Sequence, residues 1–281
     1  MVQRPRKRFG QNFLRDQAVI ERIISAIRPR PHEHIVEIGP GRGAITRPLL
    51  TRCGRLDLIE LDRDLAAELT TLETDTHVDT GAHHATEPGS PSNYRQSDTR
   101  IQVHQADALR FDFGALVKDR QVRIVGNLPY NISTPLLFHL LNHADSFEDL
   151  HLMLQKEVGI RMAASPGGKD YGRLSVMLQA KCHVKILFRV PPAAFNPVPK
   201  VDSSFLRIIP RTNDLPKIVN PPLFKVIVTR AFSQRRKTLR NGLLGVIASD
   251  DIERSGIDPQ RRPQTLSVAE FVTLANAAAS P

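Results

Sequence analysis

The stretch His34-Ile35-Val36-Glu37-Ile38-Gly39-Pro40-Gly41-Arg42-Gly43 decides how this chain is read. Its apolar, β-branched first half reads as a short buried strand. Glycines at alternate positions then let the backbone turn tightly, and residues 44–50 can open a helix behind the turn. A helix start placed there aims unpaired N–H groups at whatever lies over the turn. The spacing is G-x-G-x-G rather than the G-x-G-x-x-G of dinucleotide folds, so the turn alone names no ligand.

Outward from this turn the pattern repeats. Val19, Ile20, Ile23, Ile24 and Ile27 fall at helical spacing within residues 16–27. Residues 56–61 form a second strand, and 62–72 a helix for which Asp62 is a plausible cap. Strands follow at 101–104, ending near Asp107, at 122–126 and at 150–154, with a helix at 132–141. Alternation of this kind predicts an α/β fold, a Rossmann-like and mostly parallel sheet with helices on both faces. Residues 184–190 and 203–209 are strand-like runs joined by a segment with four prolines. That connection is too short for a βαβ crossover, so an antiparallel pair at one edge is expected. Beyond residue 210 only helix signals remain, at 223–232, 239–247 and 268–278. The expectation is a larger domain over 1–209 and a small all-helical one over 210–281. Residues 73–99 are polar with few large apolar side chains, so a mobile surface insertion is predicted there. His77, His83, His84, Asp75 and Asp79 lie in it without regular ligand spacing, and no metal is expected.

Composition narrows the class. With 41% hydrophobic and 24% charged residues, the 281-residue chain is that of a soluble globular protein. No apolar run approaches the roughly 20 residues that cross a bilayer, and the basic start leads into no apolar signal core. A cytoplasmic location without membrane contact is expected, with Cys53 and Cys182 as buried free thiols. Lys and Arg exceed Asp and Glu by 39 to 29, a net charge of +10, which suits a polyanionic partner. The excess clusters at Arg4, Arg6, Lys7 and Arg8, and again at Arg235, Arg236, Lys237 and Arg240, followed by Arg261 and Arg262. These clusters are candidate contacts to RNA phosphates.

The chemistry sits at strand ends. Asn127-Leu128-Pro129-Tyr130 follows the strand over 122–126. An Asn oxygen and the next backbone carbonyl can accept both N–H bonds of an exocyclic amine while an aromatic ring stacks on its base. Two such acceptors favour a more tetrahedral nitrogen and release its lone pair, which is electrostatic preorganisation rather than deprotonation. Glu60, at the end of the second strand, can accept from both hydroxyls of a ribose, and Asp107 from an adenine amine. With the glycine turn they would share one crevice, where open α/β sheets bind ligands. A nucleoside ligand beside an amine-gripping turn fits S-adenosylmethionine.

Eight blocks, read in order, carry a resemblance. They are K-R-F-G-Q-N-F-L at 7–14, V-E-I-G-P-G at 36–41, I-E-L-D-R-D at 59–64, N-L-P-Y-N-I-S-T at 127–134, M-L-Q-K-E-V at 153–158, Y-G-R-L-S-V at 171–176, P-K-V-D-S at 199–203 and R-R-K-T-L-R-N at 235–241. Together they resemble the bacterial small-subunit (16S) rRNA adenine N6-dimethyltransferases over nearly the whole chain. The resemblance implies a class I methyltransferase fold with a helical C-terminal domain that binds rRNA. It implies S-adenosylmethionine as methyl donor, and as substrate two adjacent adenines near the 3′ end of 16S rRNA within an immature 30S subunit, each dimethylated. It implies that Asn12 and Leu14 line the cofactor pocket and that Gly39, beside Gly41 in the turn, meets the methionine part. Glu60 would meet the ribose and Asp107 the cofactor's adenine. Asn127 would touch both cofactor and target, Leu128 would lend its carbonyl within the Pro129 turn, and Tyr130 would stack on the target base. Phe195, which by itself reads as a core aromatic, is implied as a second stacking face. A monomer is expected. Large-subunit rRNA dimethyltransferases share some of these features, but the blocks at 199–203 and 235–241 favour the small-subunit enzyme. A non-catalytic assembly factor and a nicotinamide oxidoreductase fit less well.

Overall fold

The computed structural model describes residues 11–75, 100–117 and 121–279. A two-residue strand, β1 (Phe13–Leu14), leads into helix α1 (Gln17–Ile27). Asp16 caps that helix by accepting from the Val19 N–H at 3.1 Å, and Arg28 ends it in the left-handed region. Its buried face is Ile20, Ile23, Ile24 and Ile27. At roughly 1.5–3 kcal/mol for each buried aliphatic side chain, that face outweighs the cap's roughly 1 kcal/mol.

The alternating pattern then appears as expected. Strand β2 (His34–Ile38) precedes α2 (Thr46–Leu50), and β3 (Arg55–Glu60) precedes α3 (Arg63–Asp75). Next come β4 (Arg100–Gln105), β5 (Val122–Asn127), α4 (Ser133–Leu141) and β6 (Phe147–Gln155). Asp62 accepts from the Asp64 N–H at 3.1 Å at the start of α3. Helices α5 (Lys156–Met162) and α6 (Arg173–Gln179), which carry no clear sequence signal, precede β7 (Cys182–Val190), β8 (Phe195–Asn196) and β9 (Ser203–Pro210). The seven-stranded sheet runs β4-β3-β2-β5-β6-β9-β7, and β1 pairs with β8 separately. The neighbouring pairs from β4 through β6 are all parallel. The expected edge pair is therefore adjacent, with β7 outermost.

Strand order, not strand direction, reverses between β2 and β5: from β2 the chain builds outward to β4, then returns to β2's other side. The carboxyl ends of these neighbours are where such sheets bind ligands. Gly126 lets them approach, since a Cβ there would stand 2.9 Å from the Ile38 carbonyl oxygen.

Two buried polar nodes brace the sheet. On one, Asp57 accepts from His34 Nε2 at 2.5 Å, His104 Nε2 at 2.6 Å and Arg55 Nε at 2.8 Å. Burial alone would raise its carboxyl, but these bonds hold it well below the usual carboxylate range. On the other, Arg123 donates to Asp149 at 2.9 Å, to Glu33 at 2.8 Å and to the Ile27 carbonyl at 2.8 Å.

The chain divides into two compact units, residues 1–156 with 187–207, and residues 157–186 with 208–281. The expected boundary at 209/210 falls beside the third crossing, at 207/208, but 157–186 group with the C-terminal helices. The reason is core packing: Tyr171 and Val176 are buried with Phe224, Ile227 and Phe271. Here α7 (Pro221–Ser233), α8 (Leu239–Gly242), α9 (Ser249–Arg254) and α10 (Val268–Ala277) follow one another. The helix expected over 239–247 stops at Gly242, and α9 carries the next turn-and-a-half. Cys53 and Cys182 are buried free thiols, and burial pushes both up to about 12. Among the described residues no helix is long and apolar enough to cross a membrane. Residues 76–99, most of the expected insertion, lie outside the described residues, as do His77, His83, His84 and Asp79.

Candidate active site

A cavity of about 290 Å³ opens at the carboxyl ends of β2, β3, β4 and β5. Its wall includes Asn12, Leu14, Gly39, Gly41, Glu60, Asp107, Asn127, Leu128, Pro129 and Tyr130. Residues distant in sequence thus meet at the switch point, as their strand-end positions require. Its size approaches that of small-molecule sites, roughly 300–1,000 Å³.

The glycine turn forms the floor. Gly39 and Gly41 hold φ of +66° and +57°, a region where other residues are strained. A Cβ on Gly41 would stand 3.0 Å from the Phe13 ring, so β1 closes tightly over the turn. Arg42 lies over the same ring at 4.8 Å from its centroid.

Glu60 is buried, with Oε2 accepting from the Gly41 N–H at 3.1 Å and Oε1 from the Asp62 N–H at 2.9 Å. Burial raises its pKa despite these two bonds, so further donors at the carboxylate would be favourable. Asp107 holds the next turn through Oδ1, which accepts from the Leu109 N–H at 2.9 Å. Leu61, 48% exposed, offers an apolar wall nearby. A buried acceptor pair, a second carboxylate and an apolar surface fit a nucleoside: ribose hydroxyls, an adenine amine and a flat ring. The residues present therefore fit S-adenosylmethionine.

Asn127 ends β5. Its Nδ2 donates to the Asn12 carbonyl at 3.0 Å, which assigns the amide and leaves Oδ1 as the acceptor. The Leu128 N–H is held by the Met153 carbonyl at 3.1 Å, and the Ile132 N–H closes the turn on the Pro129 carbonyl at 3.2 Å. Tyr130 is half-buried, its phenol 2.7 Å from Ser203 Oγ and its carbonyl accepting from Ser133 Oγ at 3.1 Å.

Phe195 departs from its implied place. It is 1% exposed, paired with Leu14 in the β1–β8 ladder, and absent from the cavity wall. The apolar core takes its ring, so it presents no stacking face in this arrangement. The plain reading of Phe195 as a core aromatic describes it here.

Glu37 is the residue sequence reasoning passed over. It lines the cavity, accepts from Thr46 Oγ1 at 2.7 Å, and is raised to about 7 by burial and by the Glu60 charge, against the Thr46 bond. A carboxylate between Val36 and Ile38 in a buried strand was the available signal.

The basic clusters sort unequally. Arg4, Arg6, Lys7 and Arg8 lie outside the described residues. In the second unit Arg236, Lys237 and Arg240 are exposed, while Arg235 is half-buried and donates to the Gly168 carbonyl at 3.2 Å. Arg261 is paired with Glu270 at 2.5 Å.

The model of the ribosomal RNA adenine dimethylase family matches residues 2–84 and 90–280. The chain is 50% identical to Ribosomal RNA small subunit methyltransferase A of Pseudomonas aeruginosa over 274 residues, 97% of this chain and 94% of that protein. Its fold is similar to that of a dimethyladenosine transferase from Plasmodium falciparum, with a TM-score of 0.72, 24% identity and coverage of 93% and 95%. It is also similar to the 23S rRNA methyltransferase ErmE, with a TM-score of 0.67, 22% identity and coverage of 96% and 100%. These likenesses agree with a class I, S-adenosylmethionine-dependent methyltransferase. The chain belongs to the ribosomal RNA adenine dimethylase family.

Proposed function

We propose that this enzyme dimethylates N6 of two adjacent adenines near the 3′ end of 16S rRNA, acting as a monomer on immature 30S subunits in the cytoplasm. The observation that carries the reading is the Asn127 carboxamide. It stands at the switch point with its nitrogen committed to the Asn12 carbonyl and its oxygen left to accept.

S-adenosylmethionine supplies an electrophilic methyl on a sulfonium. Glu60 and Asp107 orient its nucleoside end by accepting from hydroxyls and amine, and the glycine turn lets the rest approach the backbone. Asn127 Oδ1 and the Leu128 carbonyl accept the two N–H bonds of the target amine, and Tyr130 supports the base. A base in an RNA stack would have to be captured unstacked to reach them. No side-chain base is needed, because the methylated nitrogen is acidic enough to release its proton to water. Rate then comes from positioning and from preorganised acceptors. Arg236, Lys237 and Arg240, with the N-terminal arginines and Lys7, hold phosphates of the RNA.

The test is incubation with labelled S-adenosylmethionine and undermethylated small subunits, followed by mass analysis of the RNA. Asn127→Ala should retain measurable cofactor binding while transfer falls at least about a hundredfold. Activity within a few-fold of the unsubstituted enzyme would remove Asn127 from the chemistry. Label appearing in large-subunit rRNA instead would overturn the substrate.

A further inference from the structure

Tyr130 is fastened at both ends. Its carbonyl accepts from Ser133 Oγ at 3.1 Å, and its phenol meets Ser203 Oγ at 2.7 Å in a bond that can run either way. Ser203 is fully buried and begins β9. The residue before it is fixed independently: the Asp202 carboxylate accepts from Arg189 Nη2 at 2.8 Å, and its carbonyl accepts from the Lys156 N–H at 2.9 Å. The Ser203 hydroxyl is thus a rigid peg, and the Tyr130 ring tip rests on it.

We infer that Ser203 is a positioning residue for the second methyl transfer, holding the Tyr130 ring so that a singly methylated amine is still presented to the donor. This rests on the proposed reading of Tyr130 as the base platform. An unmethylated amine has two N–H bonds for two acceptors, Asn127 Oδ1 and the Leu128 carbonyl. After one transfer a single N–H remains, one acceptor loses its partner, and a methyl group must be turned away from the donor. Hydrogen bonds then fix the nitrogen less well, so the stacked ring carries more of the alignment. A ring free to rock on its side-chain bonds costs the second step more than the first, because alignment errors of an ångström are expensive in a transfer reaction.

The experiment measures mono- and dimethyladenosine in the RNA over time, for the unsubstituted enzyme and for Ser203→Ala, Tyr130→Phe, the double variant and Tyr130→Ala. Tyr130→Phe keeps the ring and removes only the bond, so it tests the idea even if Ser203→Ala folds poorly. Both single variants should accumulate monomethyladenosine, with the second step slowed about tenfold, as loss of one hydrogen bond allows. In Ser203→Ala the first step and the cofactor dissociation constant should stay within about twofold, and the double variant should be no worse in the second step than either single one. If Tyr130→Ala abolishes transfer while both bond-deleting variants keep the ordinary ratio of products, the peg is overturned and the platform stands. If Tyr130→Ala transfers both methyls normally, the platform itself falls, and this inference with it.

Discussion

Glu37 sits two residues before the glycine turn, 2% exposed, its carboxylate accepting from the Thr46 hydroxyl. Burial, and then repulsion from Glu60, raise it from an ordinary 4.5 to about 7. The sign follows from the direction. Unfolded, the group ionises near 4.5; folded, it stays protonated until about pH 7. Its contribution to stability is therefore complete below 4.5 and is lost as pH rises through about 7, where the buried group must ionise. A cationic ligand in the cavity reverses that preference, since a nearby positive charge favours the carboxylate. Binding of S-adenosylmethionine, whose amino acid part carries an ammonium, should thus release a proton near neutrality. Calorimetric titrations should show affinity rising about tenfold between about pH 6 and pH 8, with buffer-dependent heats. Glu37→Gln should flatten the rise. A rise that persists in this variant would assign it to another group, such as Glu60, which burial also raises.

At the scale of one element, β5 joins scaffold to chemistry. Its far end carries Asn127, and its near end carries Arg123, which reaches Asp149 on β6, Glu33 before β2 and the carbonyl of Ile27 at the close of α1. Arg207 on β9 meets the same Asp149. Arg123→Met would leave the buried Glu33 without its cation and Asp149 with Arg207 in place of two arginines; removing one partner of a buried pair typically costs about 3–5 kcal/mol. Thermal unfolding should shift down by roughly 10 °C. Transfer assayed well below that transition should remain within a few-fold, because Asn127, Glu60 and Asp107 keep their own bonds. An unchanged melting temperature would mean that the carboxylates find other partners. The sequence disclosed this element unevenly. Val122 to Gly126 announces a buried strand, and an Asn at its exit announces a site, because both are local patterns of polarity. What Arg123 does is not local: its partners lie 26 and 90 residues away, and only the sheet order brings them close. Phe195 runs the other way. Read by itself it is a core aromatic, and the two-residue ladder with β1 keeps it in the core; the stacking role was what the resemblance implied. Helices α5 and α6 were missed because seven residues hold too few periods for an apolar stripe to show.

Across the whole molecule the net charge of +10 matters through which cations remain free to meet a polyanion. Composition counts Arg261 with its neighbours, but it is tied to Glu270, whose carboxylate also accepts from the Ser267 N–H at 2.7 Å where α10 begins. That pair is partly exposed, so its worth to stability is modest. Arg235 is tethered to the Gly168 carbonyl. Arg236, Lys237 and Arg240 are exposed, and they are the cations of this cluster expected to displace counterions from RNA. Each phosphate neutralised contributes about 0.7 to 0.9 to the slope of log affinity against log salt. Replacing these three by Gln should therefore lower the slope by about 2 to 3 while cofactor affinity stays the same. Arg261→Gln should leave the slope nearly unchanged and instead lower the melting temperature slightly, since it loosens the cap of α10. Filter binding to a small-subunit rRNA fragment across a salt series decides between them. An unaltered slope in the triple variant would mean that these side chains are merely hydrated, and that the basic residues at the start of the chain carry the electrostatics of RNA capture.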